Sequence, residues 1–157
     1  MSSSWTAEVE AKASPAKLFK AIFLEWHHLG PKIVPHSIAS IVNISGDGGP
    51  GSLRQTNFTP VVPFSFVKEK LEFIDHDKLE VKVSLVEGGD LGKKIECASS
   101  HFKIEAKGSG AVVKAVGTFK AIGGVDVADD IIRAKESFIE IVKGVDGYLA
   151  ANPTACA

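Results

Sequence analysis

Two periodicities run along this chain. From Val127 to Ala151 the apolar residues Ile131, Ala134, Phe138, Val142, Val145 and Leu149 recur at steps of three and four, which places them on one stripe of a helix. Asp129 and Asp130 fall in its first turn, where carboxylates favour the positive end of the helix dipole, and Asn152-Pro153 closes the other end. At about 1.5 Å per residue such a helix would run roughly 35 Å, the width of a small domain. Elsewhere the period is mostly two. Trp5 to Lys12 alternates as a half-buried strand. Ser14-Pro15 then supplies an N-cap and a first-turn proline ahead of Leu18, Phe19, Ile22 and Phe23, a short helix that Gly30-Pro31 is expected to stop, with one more turn over Lys32 to Val34. Six strand patterns follow: Ile38 to Ser45, Ser52 to Thr59, Phe64 to Ile74, Leu79 to Val86, Lys94 to Ala106 and Ala111 to Ala121. Short connections between them predict antiparallel neighbours. The picture is an α+β fold, a curved antiparallel sheet around one terminal helix.

The inward faces of these strands carry residues of uneven size. Ala98, Ser100, Phe102 and Ile104 alternate inward in one strand, and Val113, Ala115, Gly117 and Phe119 in the next. A sheet curved enough to wrap a helix stands off from it in the middle, and small residues do not fill that gap. Alternation reports burial, so two outcomes stay open: these side chains pack as core and helix tilt closes the gap, or Phe58, Phe66, Phe102, Phe119 and Phe138 wall a cavity suited to a flat apolar ligand. Lys135, one position from the helix stripe, points either to solvent or into the cavity mouth.

Composition narrows the class. With 157 residues, 45% hydrophobic and 24% charged, the chain reads as one ordinary soluble domain over 1–157. Its 18 basic and 19 acidic residues give a formal charge of -1 with no Lys/Arg cluster, which argues against DNA or RNA as a partner. No apolar run matches a signal peptide or a membrane span, so a cytoplasmic location is the expectation. Cys97 and Cys156 are expected as free thiols, and no paired Cys/His spacing supports a metal. The sequons at Asn43 and Asn57 read as chance matches without secretion.

Gly46-Asp47-Gly48-Gly49-Pro50-Gly51 satisfies the spacing of a dinucleotide loop, but a strand pattern follows it where that chemistry needs a helix N-terminus, and the phosphate-loop lysine is missing. A rigid glycine hairpin is the reading, with a weak anion contact to its amides as a lesser role. His27 and His28, near His36 and Glu25, point apart on a helix and read as solvated or capping residues. His76 falls in a turn and His101 on the outer face of its strand. No Gly-x-Ser-x-Gly nucleophile is present. Glu69, Glu72, Glu96 and Asp146 are carboxylates open to acid-base work, although a solvated position is the usual one.

Three segments carry a resemblance to a known family: SGDGGPGS at Ser45 to Ser52, PFSFVKEKLEFIDHDKLEVKVSLVEGG at Pro63 to Gly89, and GYLAANP at Gly147 to Pro153. Together they resemble the class-ten plant pathogenesis-related proteins, the family of the birch-pollen major allergen. The opening ASPAKLFKAIFLEWHHLGPKIVPH is most similar to monocot members such as the asparagus protein. The resemblance implies a seven-stranded antiparallel sheet gripping a long C-terminal helix, two short helices closing one end, and an internal hydrophobic cavity. It implies no cofactor, and binding of small amphipathic plant metabolites or hormones such as cytokinins, flavonoids and steroids. By position the implied pocket contains Arg54, Thr56, Phe58, Phe66, Val81, Val83, Leu85, Phe102, Phe119, Lys135 and Phe138; Ala98, Ser100, Ala115, Gly117 and Val142 join it from the inward faces.

Some members of that family are described as ribonucleases, and the matching positions here are Arg54, Glu96, Asp146 and Tyr148. Asp146 is one methylene shorter than the family's glutamate, which disturbs an acid-base geometry. The family's gate motif Ser-Gly-Leu-Pro-Ala is missing, which argues against a hormone receptor. The leading expectation is a defence-related carrier, a monomer or weak dimer. The rivals are a ribonuclease or condensing enzyme using Glu96, Tyr148 or a cavity lysine, and an interaction module using the glycine hairpin.

Overall fold

A computed structural model describes residues 2–156; Met1 and Ala157, the ends of the expected domain, lie outside the described residues. Ten residues of period two, Ser2–Ala11, form β1. Ser14 then caps α1 (Pro15–Phe19), its Oγ accepting from Lys17 N–H at 3.3 Å. The helix expected to run on to Gly30 is instead interrupted. A π turn over Lys20–Leu24 closes with Glu25 N–H donating to the Lys20 carbonyl at 2.8 Å, and α2 restarts at Trp26–Ile33.

Gly30-Pro31 does not stop this helix; Pro31 lies inside α2. Proline removes only the donor that would reach the His27 carbonyl. Buried Leu29 and Gly30 hold the turn in place, and Val34 N–H still donates to the Gly30 carbonyl at 3.0 Å.

The remaining strands are β2 (Ile38–Ser45), β3 (Leu53–Phe58), β4 (Phe66–Asp75), β5 (Glu80–Gly88), β6 (Ile95–Lys107) and β7 (Gly110–Ala121), followed by α3 (Ala128–Ala151). All seven strands join one antiparallel sheet in the order β1-β7-β6-β5-β4-β3-β2. Short hairpin connections account for most of that order. The exception is β1, which pairs with β7 from Ser2 opposite Lys120 to Ala11 opposite Ala111.

Outward positions of the sheet carry opposite charges across neighbouring strands. Glu80 accepts from Lys103 at 3.0 Å with His101 at 3.3 Å, and Lys114 lies 2.7 Å from Glu105. His101 therefore sits on the outer face, as its strand parity predicts.

The core gathers at one end of the grip. Val9, Val81, Ile104, Ala111, Val113 and Ala115 from the sheet meet Leu18, Phe19, Ala21, Ile22 and Leu29 from the small helices and Phe138, Val142, Val145 and Leu149 from α3. The α3 stripe thus buries its C-terminal half. Its N-terminal residues Ile131 and Ala134 do not join that cluster, and there the sheet stands away from the helix.

Candidate functional site

That stand-off encloses a cavity of about 560 Å³. Its walls come from α3 and the residue before it (Val127, Asp130, Ile131, Ala134, Ser137, Ile141), from inward strand positions (Thr56, Phe58, Val67, Glu69, Leu85, Ala98, Ser100, Gly117, Phe119) and from the β3–β4 loop (Val61, Val62, Pro63, Phe64). Trp5 and Trp26 complete an aromatic lining. Val61 is 72% exposed, so the loop forms the rim where the cavity meets solvent.

The expected pocket residues separate into two groups. Thr56, Phe58, Leu85, Ala98, Ser100, Gly117 and Phe119 line the cavity. Val81, Ala115 and Val142 are instead buried in the packed core, with Val83 against its edge. Phe102 and Phe138 stack at 5.9 Å, and Phe138 meets Trp5 at 6.4 Å while Phe102 meets Phe23 at 5.3 Å. This aromatic chain is the partition between core and cavity. Gly117 does not leave free volume. A Cβ there would come within 2.1 Å of Trp5 Nε1, so the glycine is the seat of the indole.

Phe66 is not on the inward face of β4. Val67 and Glu69 line the cavity, which puts Phe66 on the opposite parity, its ring 2.9 Å from where a Cβ on Gly88 would sit. Lys135 is half-buried and outside the lining. Arg54 is half-buried opposite Glu69 in the β3–β4 register, and it too lies outside the lining.

Glu69 is the charged group among the strand positions that line the cavity. Burial pushes its carboxyl above the usual carboxylate range, and the Arg54 charge only partly offsets this. Burial likewise lowers the Arg54 guanidinium from its ordinary value. Among the described residues no hydrogen bond and no ion pair within 4 Å reaches the Glu69 carboxyl. Pattern reading passed over its inward position because a buried strand site is expected to be apolar. The available signal was parity: Glu69 shares a face with Leu71, and it lies opposite Leu85.

At the rim the charges are paired. Arg133 meets Asp130 and lies 3.7 Å from Asp90, Lys94 reaches Asp130 at 3.2 Å, and the Arg133 guanidinium sits 5.9 Å from the Phe64 ring centre. On the other side His36 and Glu140 are 2.6 Å apart. Burial raises the Asp130 carboxyl, but hydrogen bonds from Arg133 and Lys94 outweigh it and hold it below the ordinary value.

His28 is exposed, as expected, while His27 is only partly so. The His27 Nδ1 and the Oε2 of Glu25 are buried with no partner among the described residues. Burial, and then the neighbouring His28, lower the His27 imidazole.

The four ribonuclease positions are not brought together. Asp146 accepts from Lys12 and Ala13 N–H at 2.9 Å each, tying the end of β1 to α3, while exposed Glu96 pairs with Lys120 at 3.1 Å. Lys12 follows the Ala11–Ala111 pair and Glu96 follows the Ile95–Ala121 pair, at opposite ends of β7. A strand of that length puts them roughly 30 Å apart. Tyr148 packs at the core edge, and Glu72 accepts from Ser84 on the outer side.

The glycine hairpin is internally occupied. Gly48 N–H donates to Ser52 Oγ at 3.0 Å, Gly49 N–H to Asp47 Oδ1 at 2.9 Å, and Gly51 N–H to the Leu71 carbonyl at 2.7 Å. The Gly48, Gly49 and Gly51 amides are thus already engaged by the loop and by β4. Gly46, at φ +91°, is held where a Cβ would lie 2.3 Å from Ser52 Oγ.

Known proteins share this architecture. The sequence profile of the pathogenesis-related protein Bet v 1 family matches residues 1–152. Pathogenesis-related protein 1 of Asparagus officinalis is 49% identical over 156 residues, covering 98% of both chains. Major pollen allergen Car b 1 isoform 2 of Carpinus betulus is 36% identical over 151 residues, covering 95% of this chain and 94% of the allergen. The crystal structure of Ara h 8.0201 superposes with a TM-score of 0.83 at 27% identity, covering 96% of this chain and 99% of that one. With the sheet order, the gripped helix and the full-length match all in agreement, this chain belongs to the pathogenesis-related Bet v 1 family.

Proposed function

We propose that the protein is a defence-related carrier that holds small amphipathic metabolites, of the size of cytokinins, flavonoids or steroids, in the space between sheet and α3. The observation that carries this reading is the cavity of about 560 Å³, walled by Trp5, Trp26, Phe58, Phe64 and Phe119 and apolar over most of its surface. Flat aromatic walls bind planar ligands by stacking, and isolated polar groups orient them. The name of the asparagus relative supports the defence setting. Among the described residues no helix is long and apolar enough to cross a membrane, which is compatible with the cytoplasmic location expected from the sequence.

Titration with a hydrophobic fluorescent probe tests the reading. Saturable binding is expected, with displacement by cytokinins or flavonoids, and with weaker binding after Ala134→Trp, which fills the space beside α3. Probe binding that never saturates, or that Ala134→Trp leaves unchanged, removes the carrier assignment.

A further inference from the structure

We infer that the β2 edge of the sheet is a self-association surface, on which a second copy of this chain pairs its own β2 antiparallel about a twofold axis at Val42.

The sheet ends in two edges, β1 and β2, and they are defended unequally. An edge strand offers a row of backbone N–H and C=O groups to any strand that meets it, and charged side chains along the edge oppose such pairing. On β1 the exposed residues Glu8 and Glu10 do this, held by Lys114 of β7 and Lys107 at the end of β6. Pairing β1 with its own copy, faces aligned, would bring these carboxylates beside one another, and like charges across a strand pair repel. Asp146 of α3 also clamps the end of that strand through the Lys12 and Ala13 amides.

The β2 edge carries no such defence. Residues 37–46 include no charged side chain and no proline. The strand is laddered to β3 alone, and among the described residues no other backbone hydrogen bond engages residues 39–45. On its inner side Ile41 rests against Gly30 of α2. Val42 lies opposite Gln55, whose neighbour Thr56 lines the cavity, so Val42 stands on the outer face of the sheet. Val42 and Ile44 are 47% and 45% exposed there, and Asn43 between them is exposed as well.

A second β2 fits this edge in charge and in register. With Val42 on the axis, Ile41 faces Asn43 of the second copy and Ser40 faces Ile44, so residues of like parity meet and the two sheets continue into each other. The two Val42 side chains then lie opposite one another with both Ile44 side chains on the diagonals, which gathers the exposed apolar groups of the two edges into one patch. His36 and Asp47, which flank the strand, fall opposite Gly48 and Ser37 of the second copy, so no like charges are brought together. Irregularities between Ile38 and Ser40 and between Asn43 and Ser45 keep the regular run short. One edge of 8 residues falls below the roughly 1,200 Å² at which stable interfaces begin, so the association is weak and concentration-dependent.

Sedimentation of the full chain over a concentration series tests this. Between about 20 μM and about 1 mM the weight-average mass should rise by roughly half, as a dissociation constant on the order of 1 mM requires. Val42→Lys sets like charges on the axis and should hold the protein monomeric over the same range with its melting temperature unchanged, whereas Thr6→Lys, on the outer face of β1, should associate as the parent does. In a Cys97→Ser background, Val42→Cys should cross-link through residue 42 on oxidation and Thr6→Cys should not. A parent that stays monomeric throughout overturns the inference and leaves this edge to a strand of another protein. Association that survives Val42→Lys, or cross-linking as efficient at Thr6→Cys as at Val42→Cys, places the contact on another face and overturns it too. Where Val42→Lys is poorly folded, the cross-linking comparison decides the matter.

Discussion

One carboxylate on the strands, Glu69, faces this interior. Glu69 occupies a strand position that an apolar side chain would fill at no electrostatic cost, and its folded pKa is raised by burial. The folded state then holds more protons than the unfolded chain once pH exceeds the ordinary carboxylate value, so stability declines as pH rises toward the raised value. Glu69→Gln removes this term. The variant should melt a few degrees higher than the parent at pH 7 to 8, with the difference vanishing below about pH 4, where both states are protonated. A melting series against pH checks it, and an equal shift at all pH values would contradict the assignment. Gly117 shows the opposite kind of residue effect, since its missing side chain is where the Trp5 indole rests.

At the scale of elements, α3 does two jobs along one stripe. Phe138, Val142, Val145 and Leu149 pack, while Ile131 and Ala134 face open volume. The change occurs at Phe138, where stacking on Phe102 and contact with Trp5 close the core against the cavity. Phe138→Ala should cost about 3–5 kcal/mol, read from chemical denaturation, and should join the new space to the existing cavity. A larger hydrophobic probe would then bind the variant better than the parent, provided the variant is still folded under the assay conditions. Loss of stability with no change in probe size preference would place the partition elsewhere. The π turn over Lys20–Leu24 belongs to this scale as well, since it was invisible in the pattern of Leu18, Phe19, Ile22 and Phe23, which suits an α-helix equally well.

For the whole molecule, the rim network ties α3 to the β5–β6 turn and to the β3–β4 loop through Asp130, Arg133, Asp90, Lys94 and Phe64. Hydrogen bonds hold the Asp130 carboxyl below its ordinary value against the opposing effect of burial. A group depressed in the fold contributes stability above its unfolded pKa and loses it as pH falls through the folded one. Asp130→Asn should therefore lower the melting temperature by a few degrees near neutral pH and converge on the parent in acid; the partial exposure of the pair keeps the effect small. A gap between the two proteins that persists below pH 3 would show that the loss has another origin.

Much of this architecture was legible in the chain. Alternation in β6 and β7 identified the inward residues Ala98, Ser100, Val113 and Phe119 correctly, because both strands pair along most of their length without a slip. In β4 it fails, since FVKEKLEFID has no clean alternation: Phe66 and Leu71 stand on opposite parities, and the aromatic residue draws the inward assignment away from Glu69. The sequence by itself determined the long helix, the strands, their turns and, outside β4, which faces are turned inward, because these depend on local periodicity and turn geometry. Only the tertiary structure decided which inward residues touch one another and which face open space. That depends on how far the curved sheet stands from α3, a distance set by the closure of β1 on β7 and by side chains far apart in the chain. For the same reason Asp146 became a tether, Gly117 a seat for an indole, and Glu69 a carboxyl with no partner of its own.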